Sequence, residues 1–169
     1  MRASLLRLAL LLTPACAPGL AGPTEAPAPV DASAAWAELA RALPGAWIAT
    51  DASGGSLEVS YRLVSRGSAL LETFGADPAA QTLSVYHPDG RALMLTHYCA
   101  QGNQVRLRVT ASTPGRVRFE YLDVTNADPG QSVMHELVFV LGPDTLERTE
   151  IYQAHDGTRE AGVLRFVRR

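Results

Sequence analysis

The chain contains no lysine; all 15 of its basic residues are arginine. Schiff-base catalysis, a Walker-type phosphate-binding lysine and pyridoxal chemistry are thereby excluded. Charge of one sign is also lacking, with 15 basic against 17 acidic side chains. That balance excludes a broad electrostatic footprint for nucleic acid or an anionic membrane. No stretch approaches 18 consecutive apolar residues, so no membrane-spanning helix is expected. There is no Gly-x-Ser-x-Gly elbow, His-Glu-x-x-His pair, phosphate loop or dinucleotide fingerprint. Glu72 and Glu150 fall within apolar runs, but no pair of carboxylates has a spacing that assigns acid and base roles.

Cysteine is scarce, and its placement turns on the first segment. Arg2 and Arg7 flank an apolar run over 5–12, followed by small residues and prolines. This is the layout of a secretory signal peptide, expected to span 1–21 and to be cut after Gly19-Leu20-Ala21, releasing Gly22. The protein is therefore expected to be exported, periplasmic or secreted. The alternative is a lipoprotein anchored through Cys16, although Thr13 stands where that signal wants an apolar residue. Removing Arg2 and Arg7 from the 15 basic residues leaves 13 against 17 acids, a charge of −4. It also leaves Cys99 as a lone thiol, which cannot form an intrachain disulfide, so stability must come from the core. Residues 22–34, rich in proline and alanine, read as a flexible tether. Residues 35–169 have the length of a single domain.

Within that domain one helical signal stands out over 34–43, where Trp36, Leu39, Ala40 and Leu43 recur at spacings of three and four. Pro44-Gly45 ends it. Ten short β-branched and aromatic runs follow, at 46–50, 57–63, 69–74, 82–87, 92–99, 105–111, 116–123, 133–141, 145–153 and 162–167. Turn pairs such as Pro88-Asp89-Gly90, Gly102-Asn103, Pro114-Gly115 and Asp156-Gly157 separate them. Short strands at regular spacing predict an antiparallel meander. Ten of them hide their edges by closing into an up-and-down barrel. The expected fold is all-β, a lipocalin-like barrel of about ten strands behind one short helix.

Alternation predicts which side chains face inward. Val105, Leu107 and Val109 oppose Arg106, Arg108 and Thr110, and Val117, Phe119 and Tyr121 oppose Arg116, Arg118 and Glu120. A three-residue turn at Thr113-Pro114-Gly115 would align the apolar rows and set Arg108 opposite Glu120 outside. The same register carried backward puts Leu93, Leu95, His97 and Cys99 inside, with Val133, His135, Leu137 and Phe139 joining them and Asp123 closing the inward row. Arginine is expected on the outer faces throughout. His87 and His155 fall at hairpin tips and are expected on the surface. The oxygen-rich stretch 123–130 resembles a calcium loop in composition, but its spacing is not that of an EF-hand, and Asx-turns account for it.

The candidate site is therefore His97, Cys99, Tyr121, Asp123 and His135. A buried thiol beside a hydrogen-bonded histidine is the simplest reading; a polar patch that orients a small ligand is the functional one. Imidazole and thiolate also suit zinc or copper, which makes His97, Cys99 and His135 an alternative metal set.

Two segments carry a resemblance. Leu43-Pro44-Gly45-Ala46-Trp47, a Gly-x-Trp opening the first strand, resembles the start of lipocalin-like (calycin) barrels. Thr96-His97-Tyr98-Cys99-Ala100-Gln101-Gly102-Asn103-Gln104, with Met134-His135, is similar to a family of secreted bacterial β-barrel proteins related in shape to lipocalins and to the haem-binding nitrobindin group. The resemblance covers 36–169. It implies a barrel with an internal cavity and assigns no activity. Nitrobindin-like barrels hold haem through a histidine near the C-terminal end; the run 162–167 has none, so haem is disfavoured here. The expectation is an exported, non-enzymatic barrel for a small apolar or amphipathic ligand, a monomer or weak dimer, without a cofactor. The alternatives are the metal protein and a small-molecule enzyme using His97 as base.

Overall fold

The computed structural model describes residues 30–50 and 54–169. The stretch read as a signal peptide, Cys16 and most of the stretch read as a tether lie outside the described residues. The chain forms one helix, α1 (Ala32–Ala42), and ten strands: β1 (Gly45–Thr50), β2 (Ser56–Val64), β3 (Ala69–Phe74), β4 (Thr82–Asp89), β5 (Ala92–Tyr98), β6 (Gln104–Thr113), β7 (Arg116–Thr125), β8 (Val133–Leu141), β9 (Thr145–Gln153) and β10 (Arg159–Arg168). Each strand pairs antiparallel with its chain neighbour and β10 returns to β1, giving a closed all-β barrel. Among the described residues no helix is long and apolar enough to cross a membrane.

α1 takes in the last residues of the stretch read as tether. Asp31 caps it, its carboxylate accepting from the Ser33 and Ala34 amides at 3.0 and 3.1 Å, and satisfies donors that a helix start leaves orphaned. Its buried face is Ala35, Leu39 and Ala42, continued by Leu43. Each fully buried leucine contributes about 2 kcal/mol. The helix closes one end of the barrel. Glu38 accepts from the Gly115 amide at 2.9 Å, and the Trp47 indole donates to the Leu43 carbonyl at 2.8 Å. Arg168 donates to the carbonyls of Ala42 and Pro44 at 2.8 and 2.9 Å, and its guanidinium lies 4.1 Å from the Trp47 ring centre.

Behind the helix the interior is filled by rings. Tyr86 meets Phe119 and Phe139 at centroid distances of 5.7 and 5.9 Å, and Tyr61 meets Phe139 edge-on at 6.4 Å. Toward the opposite end, Leu57, Phe74, Val124, Val133 and Tyr152 stand at or next to strand termini, and each is only partly buried against the core. They form an apolar collar.

The ladder departs from strict alternation in three places. Arg108 does face Glu120, as the sequence predicts, by a different route. The β6–β7 turn is tighter, with Thr113 opposite Arg116, and a bulge between Val109 and Ala111 restores the register. The second irregularity sits between Arg106 and Leu107, which pair with Asp123 and Tyr121, so that Leu122 is extra. The third leaves His135 extra between Met134 and Glu136. A bulge slips the two-residue period by one. Beyond these two bulges the faces exchange.

The barrel's seam is short. β10 pairs with β9 over nine residues, but with β1 only through Trp47↔Arg168 and Ile48↔Val167. Over 159–166 the ladder partner of β10 among the described residues is β9 alone.

Candidate functional site

A layer of polar side chains crosses the interior between the rings and the collar. Glu72 on β3 is fully buried and Arg148 on β9 is 1% exposed. The Arg148 guanidinium lies 2.8 Å from Glu72 and 2.5 Å from Glu150, and it touches the Tyr61 hydroxyl at 3.3 Å. Its contact with Glu150 is close in distance but off the N–H axis. It also lies 5.3 Å from the Phe74 ring centre and 5.9 Å from that of Phe139, a desolvated cation–π setting. Tyr86 donates to the other oxygen of Glu72 at 2.5 Å. Ser84, registered beside Glu72 and His97 on the neighbouring strands, lies 3.1 Å from the carboxylate and 3.0 Å from His97 Nδ1.

Charge and proton positions follow. Burial pushes the Glu72 carboxyl up, but the Arg148 guanidinium and the hydrogen bonds from Tyr86 and Arg148 outweigh it and hold Glu72 below the ordinary range. Burial, reinforced by Glu72, raises Tyr86 and Tyr61 well above the usual phenol range. Burial disfavours the charged form of Arg148; the carboxylates of Glu150 and Glu72 override it and keep the guanidinium charged. His97 is 2% exposed, and burial depresses it despite the opposing pull of Glu72. It is neutral at pH 7. An ionised Glu72 only accepts, so the single Ser84 proton goes to it. Ser84 Oγ then accepts from His97 Nδ1–H. His97 Nε2 is left as a bare lone pair, buried, with no hydrogen-bond partner among the described residues.

The sequence-predicted residues divide. His97 lies inside as expected. Cys99 is half-buried in the turn after β5, its amide donating to the Asn103 carbonyl at 3.0 Å, and its thiol lies close enough to Tyr152 to influence that phenol. Asp123 does not face inward: it pairs on the outer surface with Arg106 through a two-pronged contact whose Nε arm is 2.7 Å. Tyr121 and His135 are also outside the polar layer. They stack on each other with ring centres 4.3 Å apart and planes 7° from parallel, Tyr121 being 36% exposed. Met134 takes the buried place expected for His135. Both corrections have one cause, the bulges at Leu122 and His135. Among the described residues no three His, Cys, Asp or Glu side chains form a metal-binding group, so His97, Cys99 and His135 are not brought together.

Glu72, Arg148, Ser84, Tyr86 and Glu150 were the residues that sequence reasoning passed over. Arg148 also corrects the expectation that every arginine faces out. A signal for them existed: Glu72 lies two from Leu70 and from Phe74, and Arg148 two from Leu146, so alternation placed both inside. The Thr96–Gln104 segment has a structural part as well. Beyond carrying His97 it builds the β5–β6 turn, where the buried Asn103 donates to Gln131 at 2.9 Å, and Gln131 in turn donates to the Gln101 carbonyl at 3.0 Å.

Architecture and site define an all-β, lipocalin-like up-and-down barrel with a charged layer across its interior. In comparison with known proteins, the chain matches no family model and no curated protein.

Proposed function

We propose that this protein is an exported ligand-binding barrel without enzymatic activity, holding a small, largely apolar or amphipathic molecule in the half of the barrel away from α1. The observation that carries the reading is His97 Nε2, a buried acceptor with no partner among the described residues. An unmet buried acceptor costs about 1–3 kcal/mol, and a ligand donor would recover it. The collar of Leu57, Phe74, Val124, Val133 and Tyr152 suits the ligand's apolar part. Ser84 accepts from His97 and gives its own proton to Glu72. That histidine cannot serve as the base of that hydroxyl.

The test is to express the full chain with its leader, recover it from the periplasm and record its native mass spectrum. A bound small molecule is expected, as is a rise in melting temperature with amphipathic probes. Protein recovered empty and unmoved by probes would refute the reading.

A further inference from the structure

The β7–β8 ladder stops short of the barrel's rim. It runs from Arg116↔Val140 to Glu120↔Glu136, although β7 continues to Thr125 and β8 begins at Val133. Beyond that last pair no ladder joins the two strands among the described residues. The stacked rings of Tyr121 and His135 stand at this fork, one residue past the pair on each strand. The bulges at Leu122 and His135 lie here too, and a bulge at a barrel rim re-aims the side chains beside it.

A cavity of about 400 Å³ lies past the fork, between the β7–β8 loop and the turn from β9 to β10. Val124 and Val133 of the collar line it, with Asp128, His135, Gln153 and His155. His135 belongs to its wall and Tyr121 does not, so the side of the imidazole that Tyr121 leaves bare looks into it. Both walls are fastened. Gln131 accepts from the Asp128 amide at 3.3 Å and ties that loop to the Gln101 carbonyl. Arg159 donates to Gln153 at 2.7 Å, and the Ala154 amide donates to the Thr158 carbonyl at 2.8 Å.

Charge does not choose the occupant. The Asp128 carboxylate stands on the loop side and the Arg159 guanidinium stands behind Gln153. Asp156, next to His155, is already engaged by the Thr158 amide at 2.8 Å. Burial, helped by Arg159, holds His135 below its ordinary 6.5, so its ring is neutral at pH 7.5. What selects is a backed, uncharged aromatic face beside two valines, in a cavity of the size that holds small molecules.

We infer that this cavity binds an uncharged molecule with a flat aromatic ring, which lies on the bare face of His135 and against Val124 and Val133. Offset stacking adds to the area such a ring buries, and the stack becomes ligand, His135, Tyr121. The ligand's polar edge meets the Gln153 amide, the Asp128 carboxylate and the His155 ring, which offer donors and acceptors alike. The site shares two valines with the collar and uses no residue of the polar layer. It therefore stands or falls separately from the reading above.

The test is to titrate the full chain, recovered as above, with benzamide and cyclohexanecarboxamide at pH 7.5. The two probes carry the same amide, and one ring is flat. Proton–carbon NMR follows the ring signals of the four histidines. Benzamide is expected to bind about three- to tenfold more tightly, moving His135 upfield and shifting His155 while His87 and His97 stay in place. His135→Leu keeps an apolar wall and should abolish the advantage of the flat probe; Tyr121→Leu removes the backing and should reduce it. Equal binding of the two probes, or binding of neither, overturns the inference. Benzoate or benzylamine binding more than tenfold tighter than benzamide also overturns it, because charge would then be selecting. A benzamide shift at His97 in place of His135 overturns this site and counts for the ligand-binding reading.

Discussion

Replacing Arg148 with methionine removes the one cation of the interior layer while keeping much of its volume. Glu72, fully buried, then loses its counter-charge. Breaking a buried pair from one side costs about 3–5 kcal/mol, because the remaining charge is uncompensated. For a domain of about 140 residues, an unfolding entropy near 2.1 cal/mol/K per residue converts this to a melting temperature lower by about 10–17 °C. The sign of the pH dependence is a sharper check. In the native chain Glu72 is held below its ordinary value of 4.5, so its contribution is complete above that pH and is lost as pH falls through the depressed folded value. In Arg148→Met the burial that raises Glu72 is no longer outweighed. Its folded value moves above 4.5, and acidification from neutrality relieves the variant. Urea unfolding at pH 7.5 and 5.0 should therefore show the gap between the two proteins narrowing in acid. Glu72→Gln combined with Arg148→Met should recover most of the loss. A cost below about 1 kcal/mol at pH 7.5, or a gap that widens in acid, would refute the account of the pair.

Three further outcomes follow from the same geometry. His97 is depressed from 6.5 by burial, so its contribution is complete above pH 6.5 and is lost as pH falls from there through the folded value; in His97→Gln, stability measured across that window should be flatter than in the native chain. Arg168→Ala removes two charged hydrogen bonds to the end of α1 and a contact with Trp47, and chemical denaturation should register a loss of about 2 kcal/mol. Asp123→Ala touches only an exposed outer pair, so melting temperature and probe binding should both stay at native values; a loss of binding would return Asp123 to the site.

The barrel was legible because its causes are local: Gly and Pro at the turns, β-branched residues between them, and a two-residue period that sorts Val105, Leu107 and Val109 from Arg106 and Arg108. The site was half legible. His97 was found because it lies in an unbroken stretch of alternation running back from β6. Tyr121, Asp123 and His135 were misplaced because bulges at Leu122 and His135 slip the period, and no glycine or proline marks either slip. Glu72 and Arg148 lay on the inward parity all along. They were passed over because charge is ordinarily outside, a tendency that pairing overrides. What joins them is a partnership between β3 and β9, residues far apart in the chain, which no local pattern announces.

The two-pair seam also bears on how the molecule assembles. Nine hairpins join strands that are neighbours in the chain, and each can form with little loop to close. The join between β1 and β10 is different: the Arg168 bond to the Pro44 carbonyl ties residues 124 apart. Such a closure carries the largest entropic cost in the chain and is recovered only after the intervening strands are in place. The C-terminal Arg168 and Arg169, which bond to Pro44, Ala42 and Ala46, thus act as a latch that is fastened last. A chain short of its final two residues would keep its hairpins and lose its closure.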